Sequence, residues 1–485
     1  MQEAERAQFD YYYGFFSENL LCTVLPGPAQ IDLTDDDIDK LIQAGIFTEV
    51  DSSTCTPALH LFTVPEISKK RRRLIVHTKA INEAFTVDQE EFPIKFEELL
   101  QSQKKCVSQF NFVVDIKACY NQIPLPKNSQ RFYTFHTKSR GFLAMASIPT
   151  GQRHSVGVAQ TVSKFLLRRA VLLTPNTEHS EAYIDNFLGG SKKISTTQQF
   201  VAQLHRITNQ FSIMLNESKE EAVKSVGSSF EFRGVAYIAA HIGTLPHYLV
   251  AQSAKTKAKL NQCLSEDIPE ISSWSFSQAE SLFGLLIFAS VVTRVATAPF
   301  YWIYKFFRRR HSQIAKLQLS RNDPAKIWPS TFELWTKWTK NLLDANPLDL
   351  SKVDAFQEAT HIVWTDASLT GWGCIVHFPT GKVLAKGGPW TQVESQMHIA
   401  ELEARAVRIA LETFVPKGSV VELHIDNTSV IGSLRKKRSR NFSINCVTQH
   451  VSEDWKISSC HYVASKDNPA DPLSRLPCNP PHHCN

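Results

Sequence analysis

The sequence FVVDIKACY, residues 112–120, predicts a buried strand that delivers one carboxylate, that of Asp115. Further along the chain, a second strand with the sequence YIDN, residues 183–186, delivers the carboxylate of Asp185. In-line attack on a phosphorus atom requires two cations roughly 3.5–4 Å apart, and carboxylate oxygens on rigid elements hold such hard cations well. The two aspartates together predict a two-metal nucleotidyl-transfer site, although either one alone is more typical of a capped turn.

The residues around Asp115 carry a resemblance to a known family. DIKACYNQIPL, residues 115–125, resembles the first palm motif of retroelement reverse transcriptases. The resemblance implies that Asp115 binds metal and that the ring of Tyr120 packs under the sugar of the incoming nucleotide. Because such a ring would clash with a 2′-hydroxyl, the resemblance also implies selection of deoxynucleotides.

A second segment, SIPTGQRHSVGVAQ at residues 147–160, resembles the second motif of the same family. Its Gly151 lacks a Cβ and so allows close approach of the backbone to the nucleotide and template. Thr150 stands where the family usually has glutamine or phenylalanine, and Val156 stands where it usually has proline. Both departures concern the placement of the template strand.

Basic residues elsewhere match positions that contact the triphosphate in this family. RLIVHTKAIN, residues 73–82, is similar to a fingers segment and supplies Arg73 and Lys79, with His77 in place of the usual aspartate. Arginine can fork across phosphate oxygens and lysine acts as a point charge, so both suit a triphosphate. LNESKEE places Lys219 at the fourth motif, FEFRGVAY resembles the primer-grip turn, and SLFGLLIFASVVTRV resembles a thumb helix.

Asn186 is the main departure from the family, which normally has a second aspartate at this position. An amide is a neutral ligand, and one unit charge at 4 Å is worth about 4 kcal/mol at an effective dielectric near 20. The substitution therefore predicts weaker metal binding. By resemblance Asp115 and Asp185 are the inner ligands, so both an active polymerase and a decayed or repurposed one remain open.

The C-terminal quarter carries a second set of acidic residues. Asp366 ends the strand pattern of HIVWTDA, and Asp426 ends that of VVELHID. Glu403 lies in the helical pattern HIAELEARAVRIAL, and Asp471 starts a final helix in DNPADPLSR. Together these segments resemble ribonuclease H, which implies that the four carboxylates hold two metal ions against the scissile phosphate.

Glu401 competes with Glu403 for the second of these positions. Ala410 and Leu411 lie seven and eight residues after Glu403. This register fits the family's helix better, so Glu403 is the predicted ligand.

Composition is that of an ordinary globular protein. The 485 residues are 43% hydrophobic and 21% charged, which predicts several packed domains and argues against disorder. The net charge of +6 is modest, but Lys69–Arg73, Arg308–Arg310 and Arg435–Arg438 are basic runs. A basic run is most often a solvated surface. Beside aromatic residues, as in FYWIYKFFRRRH, it suits a nucleic-acid backbone, with nuclear import as the rival interpretation.

Other sequence features predict an intracellular protein, either cytoplasmic or nuclear. The ten cysteines include no CxxC pair, which favours reduced thiols over disulfides or zinc fingers. The first 16 residues lack the apolar core of a signal peptide, so secretion is not expected. The longest apolar stretch, near residues 282–293, is too short to span a bilayer, so no membrane partner is expected.

The predicted fold is a mixed α/β multidomain one: a right-hand polymerase followed by a ribonuclease H-like α/β domain. The predicted limits are an N-terminal extension at 1–29, fingers and palm at 30–245, thumb at 246–300, connection at 301–355, ribonuclease H at 356–477 and a tail at 478–485. The chain most resembles tyrosine-recombinase retrotransposons of the DIRS, Ngaro and VIPER groups, or gypsy-like retrotransposons. The resemblance implies RNA-directed DNA synthesis together with cleavage of RNA–DNA hybrids.

The same resemblance implies cofactors and partners. These are two Mg²⁺ or Mn²⁺ ions per active site, an RNA template, a DNA primer, the RNA–DNA hybrid, deoxynucleoside triphosphates, and capsid-like and recombinase proteins of the element. Two alternatives remain open at this point. One is a domesticated or degenerate polymerase-like protein that binds nucleic acid without catalysis, and the other is an enzyme with ribonuclease H activity only.

Overall fold

The computed structural model describes residues 3–14, 16, 33–51, 59–66, 71–78, 82, 108–242, 245–265, 274–349 and 358–475. Within it the chain forms two compact units, unit 1 (Met1–Val250) and unit 2 (Ala251–Asn485). Both units contain helices and sheets. The predicted tail and most of the predicted N-terminal extension lie outside the described residues, as does Lys79.

The strands that begin in unit 1 belong to several small antiparallel sheets. They are β1 (Phe47–Glu49), β2 (His60–Glu66), β3 (Arg71–His77), β4 (Phe110–Asp115), β5 (Thr134–Thr137), β6 (Gly141–Met145), β7 (His179–Tyr183), β8 (Asn186–Ser191), β9 (Phe230–Phe232), β10 (Val235–Ile242) and β11 (Leu245–Gln252). The described helices of this unit are α1 (Glu3–Gly14), α2 (Asp35–Gln43), α3 (Lys127–Gln130), α4 (Arg153–Leu172), α5 (Ile194–Gln210) and α6 (Lys219–Lys224).

The sheet that organises unit 1 has the strand order β4-β8-β7. Phe112 and Val114 of β4 are buried, because alternate side chains of this strand point into the core beneath α4 and α5. The antiparallel register places Asp115 opposite Asn186 and Tyr183 opposite Asn186 across the β7–β8 hairpin. The sheet therefore brings the two predicted carboxylate segments to one end.

Local structure at this end differs from the predicted strands in two places. The first strand ends at Asp115 instead of continuing to Tyr120, because Ala118 adopts a left-handed φ of 44° and a 3-10 turn follows over Cys119–Gln122. Gln122 stabilises that turn, since its side chain donates to the carbonyls of Lys117 and Met214. The second aspartate, Asp185, lies in the turn of the β7–β8 hairpin and not in a strand.

Unit 2 begins with helices and ends with a mixed sheet. Its described helices are α7 (Ala254–Ser265), α8 (Phe276–Thr293), α9 (Tyr301–Ala315), α10 (Pro329–Leu343), α11 (Ile399–Phe414), α12 (Thr428–Lys436), α13 (Phe442–Asp454) and α14 (Asp471–Ser474). Its described strands are β12 (Leu348–Asp349), β13 (His361–Ala367), β14 (Gly371–His377), β15 (Val383–Pro389), β16 (Val420–Ile425) and β17 (Lys456–Tyr462).

Helices α7 to α10 share one aromatic-rich core. Trp338 of α10 is fully buried, stacks on Phe300 at 4.7 Å and donates its indole N–H to Ser290 of α8. The predicted connection therefore contains a helix with one buried face. By length and composition α8 could cross a membrane, being longer than the predicted apolar stretch, and 44% of it is buried here.

The C-terminal sheet has the order β15-β14-β13-β16-β17. Strands β13, β14 and β15 are antiparallel, whereas β13, β16 and β17 run parallel. Helix α11 packs on the central strands through Ala404, Val407 and Leu411, which recur at helical spacing on its buried face. Because β13 and β16 are parallel neighbours, their carboxyl ends meet at one edge, where Asp366 and Asp426 lie.

Candidate active sites

The carboxylate pair of unit 1, Asp115 and Asp185, occupies the end of the β4-β8-β7 sheet. The amide of Ile116 donates to the carbonyl of Asp185 at 2.7 Å, so the two aspartates lie on adjacent backbone segments. Burial, with smaller contributions from Asp185 and Asp115, raises the pKa of the Cys119 thiol to about 12. The structure thus brings together the two residues predicted to bind metal in this unit.

Asn186 contacts this pair directly. Its side-chain amide donates to Oδ1 of Asp185 at 2.9 Å, a bond that an aspartate at this position could not make in its ionised form. The amide therefore orients the Asp185 carboxylate.

The turn that carries Asp185 is held by helix α4. Ile184 has a left-handed φ of 55°, an unfavourable conformation for a β-branched residue. Gln160 accepts from the Ile184 amide at 2.6 Å and donates to the Ala182 carbonyl at 2.9 Å, while the Ser163 hydroxyl donates to the Ile184 carbonyl. Gln160 ends the motif that supplied Gly151, Thr150 and Val156, but the sequence pattern assigned it no role, so its function was missed.

A second set of contacts fixes Asp115 from the segment before α6. The Asn216 backbone amide donates to the Asp115 carbonyl at 2.8 Å, and the Asn216 side chain donates to Asp115 Oδ2 at 2.5 Å. The Asp115 amide donates to Glu217 Oε2 at 3.0 Å. Sequence analysis missed both residues, although they stand just before Lys219, which lies exposed at the start of α6.

Tyr120 and Arg73 both lie within electrostatic range of this site. Burial raises the pKa of the Tyr120 phenol to about 12; Cys119 and Asp185 raise it further, and Arg73 opposes the rise. The structure therefore places Tyr120 near Asp185, and Arg73 near Tyr120.

A close backbone contact explains why position 151 is glycine. It has a φ of 95°, and a Cβ built there would lie 2.9 Å from the carbonyl oxygen of Val76 in β3. Asn82 spans the same region, because its side chain donates to the Gly151 carbonyl and accepts from the Arg153 amide. Only glycine fits this position without strain.

An ion pair supports the strand that leads into the Asp185 turn. Arg233, in the turn between β9 and β10, has a largely buried side chain that lies 2.5 Å from Glu181 Oε1. Its guanidinium also lies 4.8 Å from the centre of the Tyr183 ring. These contacts of Arg233 hold the β9–β10 turn against β7.

The carboxylate cluster of unit 2 consists of Asp366, Glu403 and Asp426. One ligand oxygen from each lies within 4.8 Å of the others, the only such group of three potential ligands in the described part of the chain. Asp366 lies on β13, Asp426 directly follows β16, and Glu403 projects from the buried face of α11. Glu401 lies outside the cluster and accepts from the side chain of Asn441 at 2.6 Å.

The cluster concentrates negative charge in a buried place. Burial, followed by Asp426 and Asp366, raises the pKa of Glu403 to about 10. Burial also raises the pKa of Asp366, and Asp426 and Asp471 add to this, while a hydrogen bond from Ser474 opposes it. Without a counter-charge the site favours a protonated Glu403.

Three neighbouring side chains orient these carboxylates. Ser474 donates to Asp366 Oδ2 at 2.6 Å, and Asn468 donates to Asp366 Oδ1 at 3.4 Å. Ser465 donates to Asp426 Oδ2 at 2.8 Å. Sequence analysis missed all three, although they lie in or just before the segment that supplied Asp471.

Asp471 stands apart from the group of three. Its carboxylate receives three hydrogen bonds from Arg475, between 2.7 and 3.1 Å long. It still acts on the pKa of Asp366, so it lies at the margin of the cluster.

The donor set of this cluster fits a hard divalent cation. All three groups are carboxylates, the ligands that Mg²⁺ and Mn²⁺ prefer. Oε2 of Glu403 is buried and accepts no hydrogen bond, so its lone pairs are available to an ion. Asp366, Glu403 and Asp426 would hold the ion, with Asp471 beside them.

No family model matches the chain, and no curated protein matches it. Among solved structures, the chain is similar to a foamy viral protease-reverse transcriptase, the form designated dRH, in complex with double-stranded DNA. The identity is 14%, the match covers 96% of this chain and 79% of that chain, and the TM-score is 0.49.

Two further structures of the foamy viral protease-reverse transcriptase also match. The one with double-stranded DNA has 15% identity, coverage of 96% of this chain and 94% of that chain, and a TM-score of 0.48. The one with an RNA/DNA hybrid has 13% identity, coverage of 100% and 63%, and a TM-score of 0.46. These values assign neither a family nor an activity to the chain.

Proposed function

We propose that the chain is an RNA-directed DNA polymerase of a tyrosine-recombinase or gypsy-like retrotransposon, with ribonuclease H activity on RNA–DNA hybrids. The observation that carries the proposal is the pair of separate carboxylate sites, Asp115 with Asp185 in unit 1 and Asp366, Glu403 and Asp426 in unit 2. Each set of residues stands at the corresponding motif in the sequence. The domain limits given above are part of this proposal.

In the polymerase reaction, Asp115 and Asp185 would hold two Mg²⁺ or Mn²⁺ ions. The bound ions would activate the primer hydroxyl and stabilise the charge on the leaving pyrophosphate. Arg73 and Lys79 bind the triphosphate, Lys219 lies beside it, and Tyr120 excludes a 2′-hydroxyl. Gln160 keeps Asp185 in position, while Arg233 keeps the ring of Tyr183 beside it.

In the nuclease reaction, two Mg²⁺ or Mn²⁺ ions would be held by Asp366, Glu403, Asp426 and Asp471. Ser474 and Asn468 fix the orientation of Asp366, and Ser465 fixes that of Asp426. The RNA strand of a hybrid is the expected substrate, because a polymerase that copies RNA leaves its template paired with the product. The partners are accordingly an RNA template, a DNA primer, the hybrid and deoxynucleoside triphosphates.

A second candidate function is ribonuclease H activity alone. It is favoured by the difference between the two sites, since the cluster of unit 2 has three carboxylates in close reach whereas Asn186 contributes only an amide in unit 1.

One experiment distinguishes the two candidates. The full chain is given a primed RNA template with deoxynucleotides and Mg²⁺ or Mn²⁺, and a labelled RNA–DNA hybrid in a parallel reaction. Asp115→Asn should abolish primer extension and spare cleavage, and Asp426→Asn should do the reverse. Asp454→Asn, which removes the ion pairs of this side chain with Lys417 and His450, should leave both activities intact. Cleavage without extension by the unaltered chain would select the second candidate, and extension by Asp115→Asn would refute the assignment in unit 1.

A further inference from the structure

Unit 2 contains a cavity of about 660 Å³ outside the carboxylate cluster. One wall is helix α9 with part of α8, and the other is α12 with the segment that follows it. The walls are joined by hydrogen bonds, because the Tyr301 hydroxyl and the Arg308 guanidinium both donate to the carbonyl of Arg440. The volume falls within the range of about 300–1,000 Å³ that small-molecule sites occupy.

The cavity carries an uncompensated positive charge. Four cations line it, namely Arg308, Lys436, Arg438 and Arg440, and none of the described lining residues is acidic. Within the part of the chain that the structure describes, none of these four forms an ion pair with a carboxylate. Like charges gathered in one concavity repel each other, and an anion with several negative charges would relieve that repulsion.

The remaining lining adds a hydroxyl donor and aromatic rings. Ser429 supplies the hydroxyl on α12, where the Ser433 hydroxyl already donates to the Ser429 carbonyl, and Tyr304 and Phe283 supply rings on the opposite wall. Arg438 lies 4.7 Å from the centre of the Tyr304 ring, so a cation and an aromatic ring lie side by side in the cavity. Phosphate next to a planar base is the chemistry that matches such a lining.

We propose that this cavity binds nucleotide phosphate groups independently of the two carboxylate sites. The ligand is either a free nucleoside polyphosphate or the phosphates of a nucleic-acid strand, which share this chemistry. Lys436 is the sharpest probe, since its neighbour Lys437 does not line the cavity. Arg308 and Arg309 form a second matched pair, because Arg309 instead faces the Trp328 ring at 6.0 Å.

The test measures binding to the full chain in EDTA, so that no divalent ion links phosphates to the carboxylates. The probes are a mant-labelled dATP and a labelled ten-nucleotide single-stranded DNA. Their binding is detected by fluorescence anisotropy. Lys436→Ala and Arg308→Ala should each weaken binding about fivefold, the value of one charge interaction of about 1 kcal/mol in water. Lys437→Ala and Arg309→Ala should stay within about twofold of the unaltered chain.

The probe that follows this pattern identifies the source of the phosphate. If mant-dATP loses affinity in Lys436→Ala and Arg308→Ala but not in the controls, and inorganic tripolyphosphate displaces it, the ligand is a free nucleotide. If only the DNA shows this pattern of losses, the ligand is a nucleic-acid strand. Equal losses in both members of each pair would mean general surface attraction and overturn the proposal, as would an absence of saturable binding. Neither result depends on polymerase or nuclease activity.

Discussion

Glu403 is held where its charge is disfavoured. Its side chain projects from α11 into a buried group with Asp366 and Asp426, and its pKa is raised from 4.5 to about 10. The folded protein therefore keeps this proton over a pH range in which the unfolded chain has released it. In that range stability falls as the pH rises, because the unfolded state binds fewer protons than the folded state.

We expect Glu403→Gln to raise the melting temperature in EDTA at pH 8, with a gain of at least about 1 kcal/mol in the free energy of unfolding. The gain should shrink as the pH falls towards 5, since the unfolded chain then begins to take up the proton that the folded protein already holds. Thermal unfolding at the two pH values measures this. Glu401→Gln, at a half-buried position outside the cluster, should change little at either pH. A loss of stability of equal size at both pH values in Glu403→Gln would show that its charge is not the source of strain.

Asn186 offers a second test at the level of one side chain. Asn186→Asp replaces a donor to Asp185 by a further anionic ligand, so primer extension should hold or rise in Mg²⁺ and the preference for Mn²⁺ should fall. Asn186→Ala removes the donor and supplies no ligand, so extension should fall. Extension rates over a series of Mg²⁺ and Mn²⁺ concentrations measure both effects. A large loss in Asn186→Asp, comparable with that in Asn186→Ala, would mean that the site is built around the amide.

At the scale of elements, helix α4 controls the geometry of the β7–β8 turn. The turn contains a β-branched residue with a positive φ, a conformation that costs of order 1–3 kcal/mol and persists only when its surroundings enforce it. Gln160 and Ser163, on successive positions of one helix face, supply three hydrogen bonds to this turn. Helix α4 thus sets the position of Asp185 and maintains the strained conformation of Ile184.

We expect Gln160→Met to lower the rate of primer extension about tenfold or more, because small displacements of catalytic groups have large effects on rate. The KM for deoxynucleotide should stay nearly constant, and hybrid cleavage should not change. Thr161→Val is the matched control, since its hydroxyl bonds within α4 to the Gly157 carbonyl and not to the turn. Equal rate losses in the two variants would indicate a general loss of stability instead of a positioning role.

Several elements follow from local sequence alone. The alternation in VVELHI predicts β16, and the helical spacing of Leu402, Ala406 and Ala410 predicts α11, with Glu403 on its buried face and Glu401 off it. The 3-10 turn after Asp115 and the hairpin turn at Asp185 could not be predicted in this way. The hairpin turn depends on Gln160 and Ser163 of another segment, and the 3-10 turn depends on the bond from its own Gln122 to the distant Met214 carbonyl. A sequence pattern does not reveal such long-range hydrogen bonds.

At the scale of the molecule, each unit has its own hydrophobic cores. The proposed functions divide in the same way, with one carboxylate site per unit. Independent cores predict separate unfolding transitions, and two glycines on helices can test this. Gly157 of α4 faces the Tyr12 ring, where a Cβ would lie 2.4–2.6 Å from ring atoms, whereas Gly284 of α8 has no atom within 4 Å of a Cβ.

Gly157→Ala should lower the unfolding temperature of unit 1, because the added methyl group displaces α1 from α4. Gly284→Ala should raise the free energy of unfolding of unit 2 by roughly 0.5–1 kcal/mol, and with it the midpoint of that transition. Alanine is favoured over glycine inside a helix, and its methyl group meets no neighbour here. Differential scanning calorimetry of both variants measures the effects, and deletion of residues 1–16 should remove most of the effect of Gly157→Ala. If both substitutions moved one shared transition, the two units would unfold as a single cooperative body, and substitutions in either unit would then affect both activities through stability.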